Sequence, residues 1–355
     1  MLRSLDLEDF TVFDRAKIEL GALNVIHGEN SSGKSHLLRL GYTLAASLSR
    51  APNSAAPETP TKAFLERAIA AKLSAVFRPD QGKVGRLARR VQGTKRAKVK
   101  ARHSQVGSLE FEFSTRNDSS VRVEKAPNAW LEQAPIFFPT RELLSVYPGF
   151  VSLYETQAVP FDETWRDTCV FLGAPVARGP RKREIAELLG PLEKAIGCKA
   201  VLEGDRFFLQ MQEPRAKVEA DLVAEGYRKL SMVARLIANG SLDDKGLLFW
   251  DEPEANLNPR LVKRLAPLLL DLAAGGVQVF AATHSLFLMR EIEIERAVRA
   301  AATSAAGAVD TRYIGLFPHP DGVAVEQGPS IEDAGDIVAL DENLQQSDRY
   351  LALGG

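Results

Sequence analysis

Residues 96–102, RAKVKAR, alternate strictly, with Ala97, Val99 and Ala101 on one side and basic residues on the other. A period of two marks a strand with one buried face. The same period runs through 108–114, SLEFEFS, and 120–125, SVRVEK, with turn residues between the runs. An antiparallel meander is expected there. Other apolar runs do not alternate: 135–139, PIFFP; 247–252, LLFWDE; and 277–284, VQVFAATH. Such runs suit strands covered on both faces. A strand is also expected to end the run 18–27, IELGALNVIH, and short strands around 199–218. Helical periodicity appears in 35–48, 61–77, 160–172, 181–197, 258–274 and 286–301. The segment 51–60, APNSAAPETP, reads as a linker, and an Ala/Gly-rich break near 301–309 precedes a small C-terminal part. We find no internal repeat and no sustained heptads, so no long coiled-coil arm is expected.

Several elements carry chemistry at their ends. Residues 28–35, GENSSGKS, follow a strand and open a helix, matching G-x-x-x-x-G-K-[ST]. In such a loop Gly28, Glu29, Asn30, Ser31, Ser32 and Gly33 turn backbone N–H groups around a β-phosphate, and His36 adjoins it. Lys34 adds positive charge, and the Ser35 hydroxyl is suited to Mg2+. The apolar strand 247–250 runs into Asp251 and Glu252. Two carboxylates at a sheet edge can divide the work: Asp251 toward the metal, Glu252 polarising the attacking water. The strand 277–282 runs into Thr283 and His284, and a neutral histidine there can meet a γ-phosphate. After Glu252 comes 254–258, EANLN; Asn256 is a nucleotide contact candidate, and Asn258 before Pro259 is a good helix cap. Both readings can hold together.

The interval between Lys34 and Asp251 is too wide for an ordinary compact P-loop core. An ABC-type architecture fills that interval with an insertion and sets a signature loop and helix just before the Asp-Glu strand. Here 223–240, VAEGYRKLSMVARLIANG, stands at that point, an amphipathic helix with Gly226 at its start. The chain therefore resembles the ABC-type ATPase superfamily in its non-transporter branch. It is similar to the RecF, SMC and OLD-family heads, most closely to the small OLD-like AAA ATPases of prokaryotic defence systems.

The resemblance implies an α/β fold: a P-loop ATPase head with an antiparallel β subdomain and a short helical insertion. Residues 1–150 would form one lobe, 151–222 a mostly helical insertion and 223–355 the second lobe. It implies ATP and Mg2+ as cofactors, and a homodimer or higher homo-oligomer closed through the ATP sites. Glu225, Gly226 and Lys229 would face the γ-phosphate of another subunit. A defence ATPase acting with a separate nuclease or toxin is the function implied; a RecF/SMC-like DNA repair or recombination ATPase is the alternative. The chain departs from the family in two places. Ala224 stands where the signature serine is usual, and Glu225 would oppose an anion unless it points away or pairs with a cation such as Arg228. No glutamine loop is evident; Thr140, Arg141 and Glu142 are the best candidates near the Mg2+. Phe10 or Phe13 would either stack on adenine or sit in the core.

Composition narrows the remaining choices. The chain is 45% hydrophobic and carries a net charge of −1, which excludes a disordered protein and one that coats nucleic acid by bulk charge. The run 83–102 nevertheless holds nine Lys and Arg and no acid. It is either a DNA or RNA contact or a solvated strand edge. Cys169 and Cys198 lack metal-type spacing and are read as free thiols. No stretch has the apolar length of a bilayer span, so a soluble, cytoplasmic protein without membrane contact is expected. The stretch after His284 shows no acidic cluster of a metal-dependent nuclease, and no intrinsic nuclease is expected.

Overall fold

The computed structural model describes residues 1–353 apart from 51–55, 91–92, 118, 177–188, 191, 195, 244 and 303–307. Most of the helix expected over 181–197, and parts of the 51–60 linker, the basic run and the 301–309 break, lie outside the described residues.

The chain opens with β1 (Leu2–Phe10) and β2 (Phe13–Glu19), then β3 (Leu23–Gly28), α1 (Lys34–Leu48) and α2 (Lys62–Phe77). The meander follows as β4 (Arg96–His103), β5 (Gly107–Ser114) and β6 (Arg122–Lys125). Strand β1 inserts beside β4, so the meander is part of one antiparallel sheet of order β2-β1-β4-β5-β6. Each β4 side chain keeps to the face its alternation foretold, with Ala97, Val99 and Ala101 buried.

Next come β7 (Ile136–Phe138), α3 (Phe150–Thr156), α4 (Glu163–Gly173) and the strands β8 (Cys198–Glu203), β9 (Arg206–Met211) and β10 (Ala216–Glu219). These strands form their own three-stranded antiparallel sheet. Among the described residues, the region 151–222 holds α3 and α4 followed by these three strands, and its last third alternates in a strand period. The chain ends with α5 (Glu225–Ala238), β11 (Leu247–Asp251), α6 (Pro259–Ala274), β12 (Gln278–Ala282), α7 (Leu286–Ala302), β13 (Thr311–His319), β14 (Gly322–Gly328) and α8 (Val338–Ala352). The expected cap of α6 is present: Asn258 Oδ1 accepts from Leu261 N at 3.0 Å, with Pro259 at the first helical position.

The central sheet has the order β14-β13-β3-β12-β11-β7. All neighbouring pairs from β13 to β7 are parallel, and only β14 runs antiparallel. It separates two hydrophobic cores. Leu248 and Trp250 of β11 face the core shared with α5, α6 and the inserted sheet; Leu247 and Phe249 face the core shared with α1, α2 and the antiparallel sheet. Burying each such side chain contributes about 1.5–3 kcal/mol, which explains the unbroken apolar run of β11. Gln278, fully buried, joins the two sheets. Its Nε2 donates to Leu2 O (2.7 Å) and Gly21 O (2.8 Å), and its Oε1 accepts from Leu2 N (2.7 Å).

Candidate active site

Parallel pairing aligns the C-terminal ends of β3, β12 and β11 on one edge of the central sheet. That edge receives Gly28, Thr283 and His284, and Asp251 and Glu252, respectively. Open parallel sheets present ligands there.

The loop between β3 and α1 has the shape its glycines require. Gly28 has φ +146°, and a Cβ on it would lie 2.3 Å from Leu316 O, so no other residue fits. Lys34 folds back: its Nζ donates to Gly28 O (2.8 Å) and Glu29 O (2.7 Å). Burial lowers its pKa, opposed by Glu252, Asp251 and Glu254. The Ser32 hydroxyl is buried and has no partner. An unpaired buried donor beside a cationic side chain is what a phosphate oxygen would satisfy.

The Ser35 hydroxyl, at the start of α1, favours the ionised form of the Asp251 carboxyl at the end of β11. Burial raises that carboxyl above its ordinary 3.8, and Ser35, Arg39 and Lys34 oppose the rise. A hydroxyl and a carboxylate are hard oxygen donors that suit Mg2+, which takes few protein ligands and completes its shell with phosphate and water. Among the described residues no group of three or more His, Cys, Asp or Glu is arranged for a metal, as a soft or all-protein site would need.

Glu252 and Asn256 adopt left-handed backbones, with φ +50° and +63°. Glu252 is held there by its N–H bond to Ala282 O (2.8 Å) and by Lys229 Nζ on its own carbonyl (2.9 Å). His284 Nδ1 lies 3.4 Å from Glu252 Oε1 and 4.0 Å from Glu254 Oε1. Glu254 is buried and accepts from Thr283 Oγ1 at 2.5 Å, tying the loop after β11 to the end of β12. The edge therefore combines a phosphate cradle, a metal-type oxygen pair, and a carboxylate–imidazole pair able to orient water. His284, Glu252 and Gly28–Asn30 open on a cavity of about 790 Å³, closed on the far side by residues 336–339 and Glu342 at the start of α8.

Behind the phosphate loop lies a second cavity, of about 570 Å³, lined by Val12, Ser31, Ser32, His36, Phe77 and the arginines 86, 89 and 90, among others. Phe10 and Phe13 do not reach it, since both are fully buried core residues. Val12, half-buried at the β1–β2 turn, lines the cavity instead.

The signature-like helix is placed as the motif order suggests, but its side chains differ from expectation. Gly226 is buried: a Cβ there would meet Leu257 and Leu261 side chains at 2.9 Å. Lys229 is buried with its Nζ on Glu252 O (2.9 Å) and Ala255 O (3.0 Å), turned inward rather than toward a neighbour's phosphate. Its burial lowers its pKa to about 8. Arg228 does not serve Glu225; it lies 2.8 Å from the Glu142 carboxylate and donates to Val223 O at 2.5 Å. Ala224 is the N-cap of α5, exposed, with no side-chain cap.

Of the three glutamine-loop candidates, Thr140 and Arg141 border a cavity of about 440 Å³ that reaches Asp251. Glu142 does not. It is buried, accepting from Leu144 N (2.8 Å) and the Ser145 hydroxyl while paired with Arg228. Arg39, Glu254 and Val12 were missed from the sequence. Arg39 had a signal: it stands four residues after Ser35 on α1, hence on the same helix face.

Four basic residues in and beside β4 pair with acids. Lys98 lies 3.4 Å from Glu8, Lys100 3.5 Å from Glu110 and Lys95 3.3 Å from Asp9, and Arg96 pairs with Glu112. The acids come from β1 and β5, the strands on either side of β4 and, for Asp9, the end of β1. Both cysteines are free and buried. Among the described residues no helix is long and apolar enough to cross a membrane.

Fold and site together define a P-loop ATPase head of the ABC/SMC type. The chain belongs to the family described as "AAA domain, putative AbiEii toxin, Type IV TA system"; the match spans residues 90–290, more than half the chain, including Asp251, Glu252 and His284 but not the phosphate loop. Among solved structures it is similar to an Smc head bound to the C-terminal winged-helix domain of ScpA (TM-score 0.54, 15% identity, 93% of this chain and 98% of that one). It is also similar to an Smc head with an extended coiled coil bound to the C-terminal domain of ScpA derived from Pyrococcus furiosus (TM-score 0.50, 11% identity, 98% and 99%). A comparison with curated protein sequences finds no significant match.

Proposed function

We propose that this chain is a Mg2+-dependent ATPase whose active sites are completed between two copies. We further propose that it serves as the nucleotide-driven switch of a defence-type system acting with a separate nuclease or toxin. The observation that carries the reading is the convergence of Lys34, Ser35, Asp251, Glu252 and His284 on one sheet edge. Lys34 and the loop amides would hold the β- and γ-phosphates, while the cavity at Val12 and His36 has room for the base. Ser35 and Asp251 would hold Mg2+, which when bound neutralises charge on the phosphates. Glu252 would accept the proton of the attacking water, with His284 orienting the carboxylate from its other side.

The exposed start of α5 supports a shared site. Its N-cap, Ala224, supplies no side-chain cap, which leaves N–H groups of the first turn for an anion. The family description, which names a putative toxin of a toxin–antitoxin system, supports a role in prokaryotic conflict. The RecF/SMC-like repair reading is less favoured because the β4 lysines are paired with acids rather than free for a nucleic-acid backbone. Turnover that rises severalfold on adding DNA would favour that alternative. Calorimetry with ATP and Mg2+ tests the core of the proposal. Lys34→Ala should abolish binding or weaken it severely, and unchanged affinity would sink the phosphate-loop assignment.

A further inference from the structure

Arg39 stands on α1 one turn beyond Ser35, and its guanidinium is incompletely used. Nη2 lies 3.2 Å from Asp162 Oδ2, while Nε is buried with no partner. Asp162 is the N-cap of α4: its Oδ1 accepts from Thr164 N at 2.9 Å, and it is 8% exposed. Arg39, Asp162 and Asp251 line one and the same cavity, together with Thr140, Arg141 and Trp165. Arg39 thus has two carboxylates within its field, one at the metal position and one at the start of the inserted helix.

The rest of α4 is clamped to the same helix pair. Tyr42 donates to Asp167 at 2.6 Å, and Lys72 of α2 reaches Glu163 (2.7 Å) and Asp167 (3.1 Å). Thr168 donates to Phe137 O at 2.6 Å, on the strand next to β11. These contacts hold α4 against α1 and α2, with Arg39, Asp162 and Asp251 on the wall of one cavity.

We propose that Arg39 is a positioning residue which Asp162 holds away from Asp251, so that filling the metal site and anchoring the first turn of α4 are coupled. The proposal rests on the assignment of Ser35 and Asp251 as the metal position. A divalent cation at Asp251 repels the guanidinium and commits it to Asp162. Without a cation, Arg39 is shared between the two acids. Coupling of this kind is reciprocal: whatever strengthens the Arg39–Asp162 pair strengthens cation binding.

The test measures the affinity for AMP-PNP, a non-hydrolysable ATP analogue, as a function of Mg2+ concentration, so it does not depend on turnover. Asp162→Asn keeps a good helix cap but removes the charge that parks Arg39. Arg39 then competes with Mg2+ at Asp251, and the half-saturating Mg2+ concentration rises roughly two- to fivefold, the scale of one partly exposed ion pair. Arg39→Gln removes the competitor, and that concentration falls. In the Arg39→Gln background, Asp162→Asn has no further effect. Amide exchange at residues 164–166 slows on adding Mg2+ and AMP-PNP in the wild type but not in Arg39→Gln.

A merely structural pair would shift both variants in the same direction, or neither, and that result overturns the proposal. Weaker AMP-PNP binding by Arg39→Gln at saturating Mg2+, with unchanged Mg2+ dependence, also overturns it and makes Arg39 a direct nucleotide contact. Wild-type binding that does not respond to Mg2+ at all removes the metal position, and the proposal with it.

Discussion

Glu252 occupies a backbone region that a residue with a side chain enters at a cost of about 1 kcal/mol or more. Its φ of +50° persists because three neighbours over-determine it: Ala282 O, Lys229 Nζ and the buried Pro253 that follows. Strain held at a carboxylate beside an imidazole fits a catalytic position. Glu252→Gln should bind ATP as well as the wild type and hydrolyse it about 10²–10⁴-fold more slowly, since the amide keeps the shape and loses the base. Near-normal steady-state turnover would put the base elsewhere. His27, at the end of β3, makes a second residue-scale prediction. Burial holds its pKa down at about 4, with Lys34 adding to the effect, against 6.5 when exposed. The unfolded chain therefore takes up a proton first as pH falls below 6.5. Stability from this group is full above that pH and is lost as pH drops toward 4. At pH 5 the loss is roughly 2 kcal/mol. Urea melts at pH 7 and pH 5 should show a smaller pH dependence in His27→Gln; an unchanged difference would contradict the assignment. The charged site residues were legible because each ends a pattern: Lys34 a glycine loop, Asp251 and Glu252 an apolar strand, His284 another. Arg39 and Glu254 were not, because their roles depend on partners far along the chain.

The helix α5 shows how an element can be found correctly while its side chains are misjudged. Its amphipathic period and its place before β11 were readable. What periodicity cannot report is that Gly226 is small because Leu257 and Leu261 press on it, or that Lys229 turns inward to two carbonyls. Substituting Gly226 would therefore disturb the packing of a single subunit, and Ala224 is the better handle. Ala224→Ser supplies the missing cap at an exposed position with extended-type backbone (ψ 140°). It should stabilise the chain by about 1 kcal/mol in urea melts. If the start of α5 meets a neighbour's γ-phosphate, the same hydroxyl should also strengthen ATP-dependent association by about tenfold, one charge-assisted hydrogen bond. A gain in stability without a gain in association would make α5 a helix start and nothing more. The β4 strand carries the opposite lesson. Its alternation was read correctly, but its charge had two meanings until β1 and β5 supplied acids on both sides.

At the scale of the molecule, one sheet edge gathers groups from the two ends of the chain, and two cores hold that sheet rigid between them. The strand types were legible because parallel, doubly covered strands read as unbroken apolar runs. The order of the strands was not. That β13 pairs with β3, or that β1 joins the meander, depends on pairings about 290 and about 90 residues apart, and no local period records them. The C-terminal part was foreseen only as small; in fact β13 carries the backbone that crowds Gly28, and α8 borders the cavity over Glu252. The central claim is that the site is complete only between two copies. Ala224→Asp tests it without harming the fold, because Asp is itself a good cap while its charge opposes a neighbour's γ-phosphate. Each of Ala224→Asp and Lys34→Ala alone should hydrolyse ATP poorly. Mixed in equal amounts, they should recover about a quarter of the wild-type rate, the share of intact sites in a random mixture of two-fold dimers. Wild-type turnover by Ala224→Asp alone, or a mixture no more active than its parts, would contradict the shared site.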